Sequence, residues 1–133
     1  MIAVDSSVWI DFLADRSTPH VKLLDGYLEY RPSEIALVDI VLTEVLQGLP
    51  EDHVHRVESV LLELEVLHLK WQSDYRAAAG LYRAARKAGK PVRGTIDCLI
   101  AAVCIREQAT LLHADSDFDR LSEISELSTI KVG

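Results

Sequence analysis

Short, mostly apolar runs alternate with longer amphipathic stretches along the whole chain. Runs of three or four apolar residues are too short for a buried helix and are typical of strands covered on both faces. They predict five strands, at residues 2–4, 35–38, 66–68, 111–113 and 130–132. We therefore expect a small sheet with helices on both sides.

Between the strands, apolar residues recur at three- and four-residue spacing, which indicates helices with one buried face. Gly48 and Gly89 mark two helix ends, and we expect Asp39 to cap the third helix. The predicted helices cover about residues 5–13, 18–30, 39–48, 51–64, 73–88, 94–105 and 115–124. This alternation predicts one α/β domain over residues 1–133, built on a parallel sheet.

The composition is that of an ordinary globular domain, with 49% hydrophobic and 26% charged residues in a chain of 133. A formal net charge of −7 argues against a protein that coats nucleic acid through bulk electrostatics. It does not exclude a nuclease, because bound divalent cations would cancel several charges locally. The chain has no apolar stretch of about 18 residues and no basic leader, so we expect a cytoplasmic protein that does not enter a membrane.

Three acidic residues follow predicted strands. Asp5 comes directly after the first strand, and Asp115 and Asp117 come shortly after the fourth. The carboxyl ends of parallel strands meet at one edge of a sheet, where ligands bind in open α/β folds. Each acid alone could serve only its own helix, Asp5 and Asp115 as caps and Asp117 at the positive end of the helix dipole.

Two further acids lie on predicted helices but do not point to solvent. Glu44 falls at the edge of the apolar face of its helix. Asp97 heads the sequence GTIDCLIAAVCI and lies on its apolar stripe. A buried carboxylate requires a partner or a shifted pKa. Asp97 therefore either serves the helix dipole alone or faces a cation.

Together, the five acids predict a metal site. Carboxylates that converge on one edge repel one another by roughly a few kcal/mol at an effective dielectric constant of about 20. A divalent cation removes that repulsion, and a carboxylate site without histidine or thiolate suits Mg²⁺ or Mn²⁺.

The order and spacing of these acids resemble the four acidic motifs of PIN-domain ribonucleases, in particular the VapC-type toxins of type II toxin–antitoxin systems. The motifs are Asp5-Ser6-Ser7, Glu44 within LTEVLQG, Asp97 at the head of its helix, and Asp115-x-Asp117-Phe118. The resemblance covers the chain from residue 2 to the last predicted strand. It implies a PIN-like three-layer α/β/α fold with a small central parallel sheet. It also implies a Mg²⁺- or Mn²⁺-dependent endoribonuclease that cuts single-stranded or looped RNA and leaves a 5′-phosphate.

The resemblance also implies roles for individual residues. Four acids would form the catalytic, metal-binding quartet: Asp5, Glu44, Asp97 and Asp115. Asp117 would be an additional metal ligand or a supporting acid, and which of Asp115 and Asp117 is the primary ligand stays open. Ser7 would hydrogen-bond Asp5, or would simply begin a helix.

A block of basic residues leads up to Asp97. No acidic residue occurs between Asp74 and Asp97, whereas six basic residues do: Arg76, Arg83, Arg86, Lys87, Lys90 and Arg93. We expect Arg86, Lys87 and Arg93 to bind the RNA backbone, with Arg93 nearest the scissile phosphate. The alternative is a solvated helix face that contacts another subunit.

By the same resemblance, the partners would be an RNA substrate, a small cognate antitoxin protein that blocks the acidic pocket, and a second copy of the chain in a homodimer. The apolar faces around residues 54–64 and 73–88 are candidate interfaces. The alternative function is a catalytically inactive PIN-fold module that binds protein or RNA, and an activity assay separates the two.

Overall fold

Strand β1 (Ile2–Val4) lies at the centre of a five-stranded sheet in the computed structural model of the chain, which describes residues 1–130 and residue 132. It pairs with β2 (Ile35–Val38) on one side and β4 (Thr110–Leu112) on the other. The outer strands are β3 (Glu65–Leu67) beside β2 and β5 (Ser128–Thr129) beside β4. All four pairings are parallel.

This topology brings the carboxyl ends of β1 and β4 side by side. Val4 is in register with Leu112, and the backbone N–H of Asp5 donates to the carbonyl oxygen of Leu112 at 2.9 Å. Every residue of β1 and β2 is buried, which explains their unbroken apolar sequence. The residues that follow β1 and β4 therefore share one edge of the sheet.

Helices connect the strands and flank the sheet, as the alternation of patterns predicts. In the described residues these are α1 (Ser6–Leu13), α2 (Pro19–Tyr30), α3 (Asp39–Gln47), α4 (Glu51–Leu61), α5 (Ser73–Lys87), α6 (Thr95–Glu107) and α7 (Ser116–Ile124). The predicted α/β fold with a small parallel sheet is confirmed.

Helix α6 is the interior helix of the fold. Seven consecutive residues, 98–104, are buried, so α6 has no polar face along its middle. It packs against both α5 and α7. A helix that is apolar on all sides belongs in the interior. Asp97 lies in the first turn of this helix, where α6 emerges at the edge of the sheet.

Several predicted boundaries are wrong. Strands β3 and β4 each begin and end one residue early, because pairing with the neighbouring strand sets their ends and the apolar run does not. Strand β5 ends at Thr129, so Ile130 lies beyond it, although the N–H of Ile130 still donates to Leu111. The rest of that predicted strand includes Lys131, which lies outside the described residues.

The sequence predicts that Asp39 caps α3, and this prediction is wrong. Val38 is the N-cap, and Asp39 is the first helical residue. Its carboxylate accepts the backbone N–H of Ile40 at 2.7 Å and that of Leu69 at 3.1 Å. Asp39 therefore joins the start of α3 to the loop after β3.

Helix α4 ends at Leu61, three residues before the predicted end at residue 64.

Among the helices of the described residues, none is both long enough and apolar enough to cross a membrane.

Candidate metal centre

Three acidic side chains meet where β4, α6 and α7 come together. Asp97 lies in the first turn of α6, Asp115 is the N-cap of α7, and Asp117 lies in the first turn of α7. One carboxylate oxygen from each lies within 4.8 Å of the other two. The structure therefore brings together three acids that the sequence places on two separate elements.

Asp5 closes the site from the end of β1. Its side chain is buried, with 3% of the residue exposed. Oδ2 accepts the backbone N–H of Ser7 at 3.1 Å and the Ser7 hydroxyl at 2.6 Å. Asp5 is thus the N-cap of α1, yet its other oxygen, Oδ1, is buried and has no hydrogen-bond partner among the described residues. Capping accounts for only one of the two oxygens.

Glu44 reaches the same region from the middle of α3. It is half-buried, and its Oε1 is a second buried oxygen for which the described part of the chain supplies no hydrogen-bond partner. Burial raises the pKa of the Glu44 carboxyl, and the charge of Asp5 raises it further. Glu44 is therefore near enough to Asp5 for the two charges to interact, although it is not one of the three clustered acids.

The pKa of Asp97 responds to the charges of the other four acids of the site. Burial and then the charges of Asp115, Asp5, Asp117 and Glu44 raise the pKa of Asp97 to about 7. Burial also raises the pKa of Asp5, in spite of its hydrogen bonds from Ser7. Five carboxylates thus share one corner of the fold, and the charges of the other four oppose the ionisation of Asp97.

These residues fit a hard divalent cation. The cluster consists of carboxylate oxygens, the donors that Mg²⁺ and Mn²⁺ prefer. A buried oxygen without a donor carries a desolvation cost that a cation would remove. Oδ1 of Asp5 and Oε1 of Glu44 are such oxygens within the residues the structure describes. Helix capping alone explains neither of them.

Arg120 and His113 support the site, and sequence reasoning misses the role of both. Arg120 Nη1 donates to Asp117 Oδ1 at 2.9 Å, a pairing that their three-residue spacing on α7 allows. His113 follows β4 and is buried, and its Nδ1 accepts the backbone N–H of Asp115 at 3.2 Å. A histidine at the end of an apolar run gives no sequence signal of that contact.

The basic residues differ in how they relate to the acids. Arg93 is adjacent to them: its side chain is 83% exposed, and its Nε lies 3.9 Å from Asp117 Oδ2. Arg86 and Lys87 lie exposed in the last turn of α5. Lys90, from the same block, forms an ion pair with Glu123 of α7. Arg93 is therefore a basic side chain at the rim of the acidic cluster.

Two of the surface cavities are relevant to the site and to a protein partner. A cleft of about 390 Å³ lies beside the acids, and its lining combines polar residues such as His113, Asp115 and Asp119 with the apolar Ile130. A larger cavity, of about 770 Å³, lies elsewhere, between α1 and α4. Its lining is mostly apolar and includes Trp9, Phe12, Val57, Val60 and Leu61. The larger cavity has no part in the acidic site.

Comparison with known proteins gives consistent results. The family model of the PIN domain matches residues 2–124. Ribonuclease VapC11 of Mycobacterium tuberculosis is 38% identical over 130 residues, covering 96% of each chain. Two solved structures share the fold at about one-fifth sequence identity. FitAcB from Neisseria gonorrhoeae has a TM-score of 0.78 at 20% identity, covering 98% of this chain and 97% of that one. VapBC2 from Rickettsia felis, bound to a DNA fragment from its promoter, has a TM-score of 0.70 at 20% identity and covers all of both chains.

Proposed function

The chain belongs to the PIN-domain family, and we propose that it is a metal-dependent endoribonuclease, the toxin of a toxin–antitoxin pair. One observation carries the proposal: oxygens of Asp97, Asp115 and Asp117 lie within 4.8 Å of one another. The buried Asp5 interacts electrostatically with this cluster. The name of VapC11, which shares 38% of its residues, supports RNA as the substrate.

Mg²⁺ or Mn²⁺ would be held by four aspartates: Asp5, Asp97, Asp115 and Asp117. When bound, such an ion makes water more acidic and neutralises the charge of a phosphodiester, which are the two requirements of its hydrolysis. The contribution of the chain is to hold the four carboxylates in place and to exclude other ligands. Asp5, with one oxygen fixed by Ser7 and the other unpartnered in the described residues, is suited to that role.

Glu44 is the candidate general base. Its raised pKa increases the affinity of the carboxylate for a proton, and no described residue hydrogen-bonds its Oε1. We expect Oε1 to accept the proton from the attacking water. Asp5, Asp97 and Asp115 complete the catalytic set, because they would hold the cation that neutralises the scissile phosphate.

The RNA backbone would approach over the exposed basic side chains. Arg93 stands at the rim of the acids and would contact the phosphate at or next to the cleaved bond. Arg86 and Lys87 at the end of α5 would hold the backbone further along the strand. The acidic net charge of the chain makes this local positive surface necessary, because the molecule as a whole repels RNA.

A small antitoxin is the proposed protein partner. Several structural neighbours are toxin–antitoxin complexes, among them VapBC-1 from nontypeable Haemophilus influenzae. The apolar cavity between α1 and α4 offers a partner helix a place to bury side chains. Replacing the exposed Val60 on its rim by Asp should weaken binding of the antitoxin and leave RNA cleavage intact. Unchanged binding would exclude this cavity as the contact.

A homodimer is the proposed assembly in the absence of the antitoxin. Three aromatic side chains are exposed on and before α5, namely Trp71, Tyr75 and Tyr82. Trp71 and Tyr75 are in edge contact, with ring centroids 5.3 Å apart. Exposed aromatic side chains are enriched at protein interfaces. Light scattering at micromolar concentration should give the mass of two chains, and the mass of one chain would refute the proposed homodimer.

The proposed location of the protein is the cytoplasm, because its proposed substrate is cellular RNA.

The proposal is tested by brief expression of the protein followed by mapping of new RNA 5′-ends across the transcriptome. We expect new 5′-phosphate ends at a restricted set of sites, absent when Asp97→Asn is expressed instead. The map would also identify the RNA that is cut. If purified protein with Mg²⁺ or Mn²⁺ generates no ends that the variant lacks, the chain is an inactive binding module.

A further inference from the structure

Asp117 differs from other acids of the site because protein donors contact both of its oxygens. Arg120 Nη1 donates to Oδ1 at 2.9 Å, and the backbone N–H of Arg93 donates to Oδ2 at 3.1 Å. The side chain of Asp117 is only 3% exposed, so water cannot readily replace these donors. By contrast, Oδ1 of Asp5 and Oε1 of Glu44 have no donor in the described part of the chain.

The contacts of Asp117 link the elements that carry the other two acids of the cluster. Arg93 immediately precedes Gly94, the N-cap of α6, and Asp97 lies in the first turn of that helix. The backbone N–H of Asp117 itself donates to Asp115 Oδ1 at 2.9 Å. The position of Asp117 therefore helps to set the distance between Asp97 and Asp115.

Arg120 supplies the closer of the two positive charges that lie against Asp117 in the described residues, at 2.9 Å compared with 3.9 Å for Arg93. Arg120 lies one turn after Asp117 on α7, and its side chain is 42% exposed, so it reaches the carboxylate from the solvent side. Without this guanidinium, the only cation left against Asp117 in the described residues would be Arg93, whose side chain is 83% exposed and whose Nε lies 3.9 Å from Oδ2. Repulsion within 4.8 Å would then move the carboxylates of Asp97, Asp115 and Asp117 apart.

We infer that Arg120 is a positioning residue, which holds Asp117 in place so that Asp97, Asp115 and Asp117 keep the spacing required to bind one divalent cation. This inference rests on the proposed function of the same site. In this role Arg120 acts through Asp117 and not by binding the cation itself. Partners of this kind typically change metal affinity by about 10–100-fold when they are removed.

The test is calorimetric titration of MnCl₂ into the metal-free full chain. We expect Arg120→Met to weaken Mn²⁺ binding by about tenfold or more. Arg120→Lys keeps the charge and a donor and should lose much less. The matched control is Arg16→Met. This substitution removes the same type of side chain from an exposed ion pair with Asp11, at 2.7 Å. Arg16 follows the C-terminal end of α1, whereas Asp5 caps its N-terminal end. The control should bind Mn²⁺ as the wild type does.

A double-mutant cycle shows whether Arg120 acts through Asp117. In an Asp117→Asn background, Arg120→Met should cause little further loss of Mn²⁺ affinity. Should Arg120→Met fail to fold, Arg120→Gln removes the charge, keeps a donor, and carries the same expectation. Wild-type affinity in the folded variant, or an equal loss in Arg16→Met, would overturn the inference.

The experiment also separates this inference from the proposed function. If the wild-type chain cleaves RNA and binds Mn²⁺ while the Arg120 variant binds it equally well, only the role of Arg120 is refuted. If the wild-type chain binds no Mn²⁺ at millimolar concentration and cleaves no RNA, the metal-dependent nuclease is refuted, and the role of Arg120 with it.

Discussion

The hydroxyl oxygen of Ser7 lies 2.6 Å from Oδ2 of Asp5 and donates to it, and the same oxygen accepts the backbone N–H of Ala114 at 3.1 Å. Ser7 thereby joins the residue that follows β1 to the loop that carries Asp115. The contact also fixes which oxygen of Asp5 is bound within the protein. It leaves Oδ1 of Asp5 as the buried acceptor at the site.

Ser7→Ala should therefore affect both stability and function. Loss of the hydrogen bond to a charged carboxylate should lower the free energy of unfolding by about 1–2 kcal/mol. RNA cleavage and Mn²⁺ affinity should fall as well, because Asp5 loses its orientation. Ser7→Thr keeps the hydroxyl and should restore both properties. Urea denaturation and a cleavage assay measure the two effects, and lost stability with unchanged Mn²⁺ affinity would contradict the second one.

Asp97→Asn should make the metal-free protein more stable and abolish cleavage. The substitution removes a charge that Asp115, Asp5, Asp117 and Glu44 all oppose. We expect a gain of about 1 kcal/mol, discounted for solvent screening because Asp97 is partly exposed, or a rise in Tm of about 3–5 °C. Differential scanning calorimetry without metal and an RNA assay with Mg²⁺ measure the two effects.

The control for Asp97→Asn is Asp52→Asn, an exposed acid in the first turn of α4. This substitution removes a similar interaction with the helix dipole and no interaction with the cluster. The free energy of unfolding of the Asp52→Asn protein should fall by about 0.3–1 kcal/mol, and its RNA cleavage should be unchanged. If Asp97→Asn instead behaves like this control, Asp97 serves its helix and not a metal.

The stability of the metal-free protein should depend on pH through Asp97. The folded-state pKa of Asp97, about 7, exceeds its ordinary value of 3.8, so the folded state binds more protons between these values. The stabilisation from this group is complete below about pH 4 and is lost as the pH rises through 7. Above pH 7, the ionised site should also gain most from added Mg²⁺.

The contribution of His113 to stability depends on pH in the opposite direction, so the effect of Asp97 is measured as a difference in Tm between two proteins. Burial lowers the pKa of His113, so its contribution to stability is complete above its ordinary value of 6.5 and is lost as the pH falls from there through the lowered folded-state pKa. The difference in Tm between wild type and Asp97→Asn cancels this effect. That difference should be small at pH 4.5 and grow in favour of the variant up to pH 8. A constant difference would show that Asp97 does not titrate near neutrality.

Arg93, Arg86 and Lys87 should determine how RNA affinity responds to salt. Binding of a fluorescent single-stranded RNA is measured in the Asp97→Asn background, because this variant is expected to bind the RNA without cleaving it. Each lost phosphate contact should weaken binding and reduce the slope of log K against log salt by about 0.7. Arg93→Gln should also lower cleavage. Arg16→Gln, outside the basic block, is the control, and an equal change in the control would assign the effect to net charge alone.

Sequence patterning is sufficient to predict the fold and the convergence of the acids. Asp5 and Asp115 follow apolar runs, and parallel pairing of β1 with β4 requires those two positions to lie together. Glu44 and Asp97 stand out because they break apolar helix faces. Periodicity and topology act over whole elements, and a shift of one residue at a strand end does not change which edge an acid occupies.

Sequence periodicity does not predict the hydrogen-bond and ion-pair partners of the acids. Arg120 has acidic residues at three-residue spacing on both sides, Asp117 and Glu123. In the folded chain Arg120 pairs with Asp117, and Glu123 pairs with Lys90 from the loop after α5. Local spacing therefore permits two pairings, and tertiary packing chooses between them. The contact of His113 with the backbone of Asp115 depends in the same way on where β4 ends.

The most direct test of the acidic site is an anomalous difference map from a crystal of the protein soaked in millimolar MnCl₂. We predict a peak within coordinating distance of Asp5, Asp97, Asp115 and Asp117, and its loss in a crystal of Asp97→Asn. A map with no peak at these carboxylates, under conditions in which Mn²⁺ supports RNA cleavage, would contradict the account.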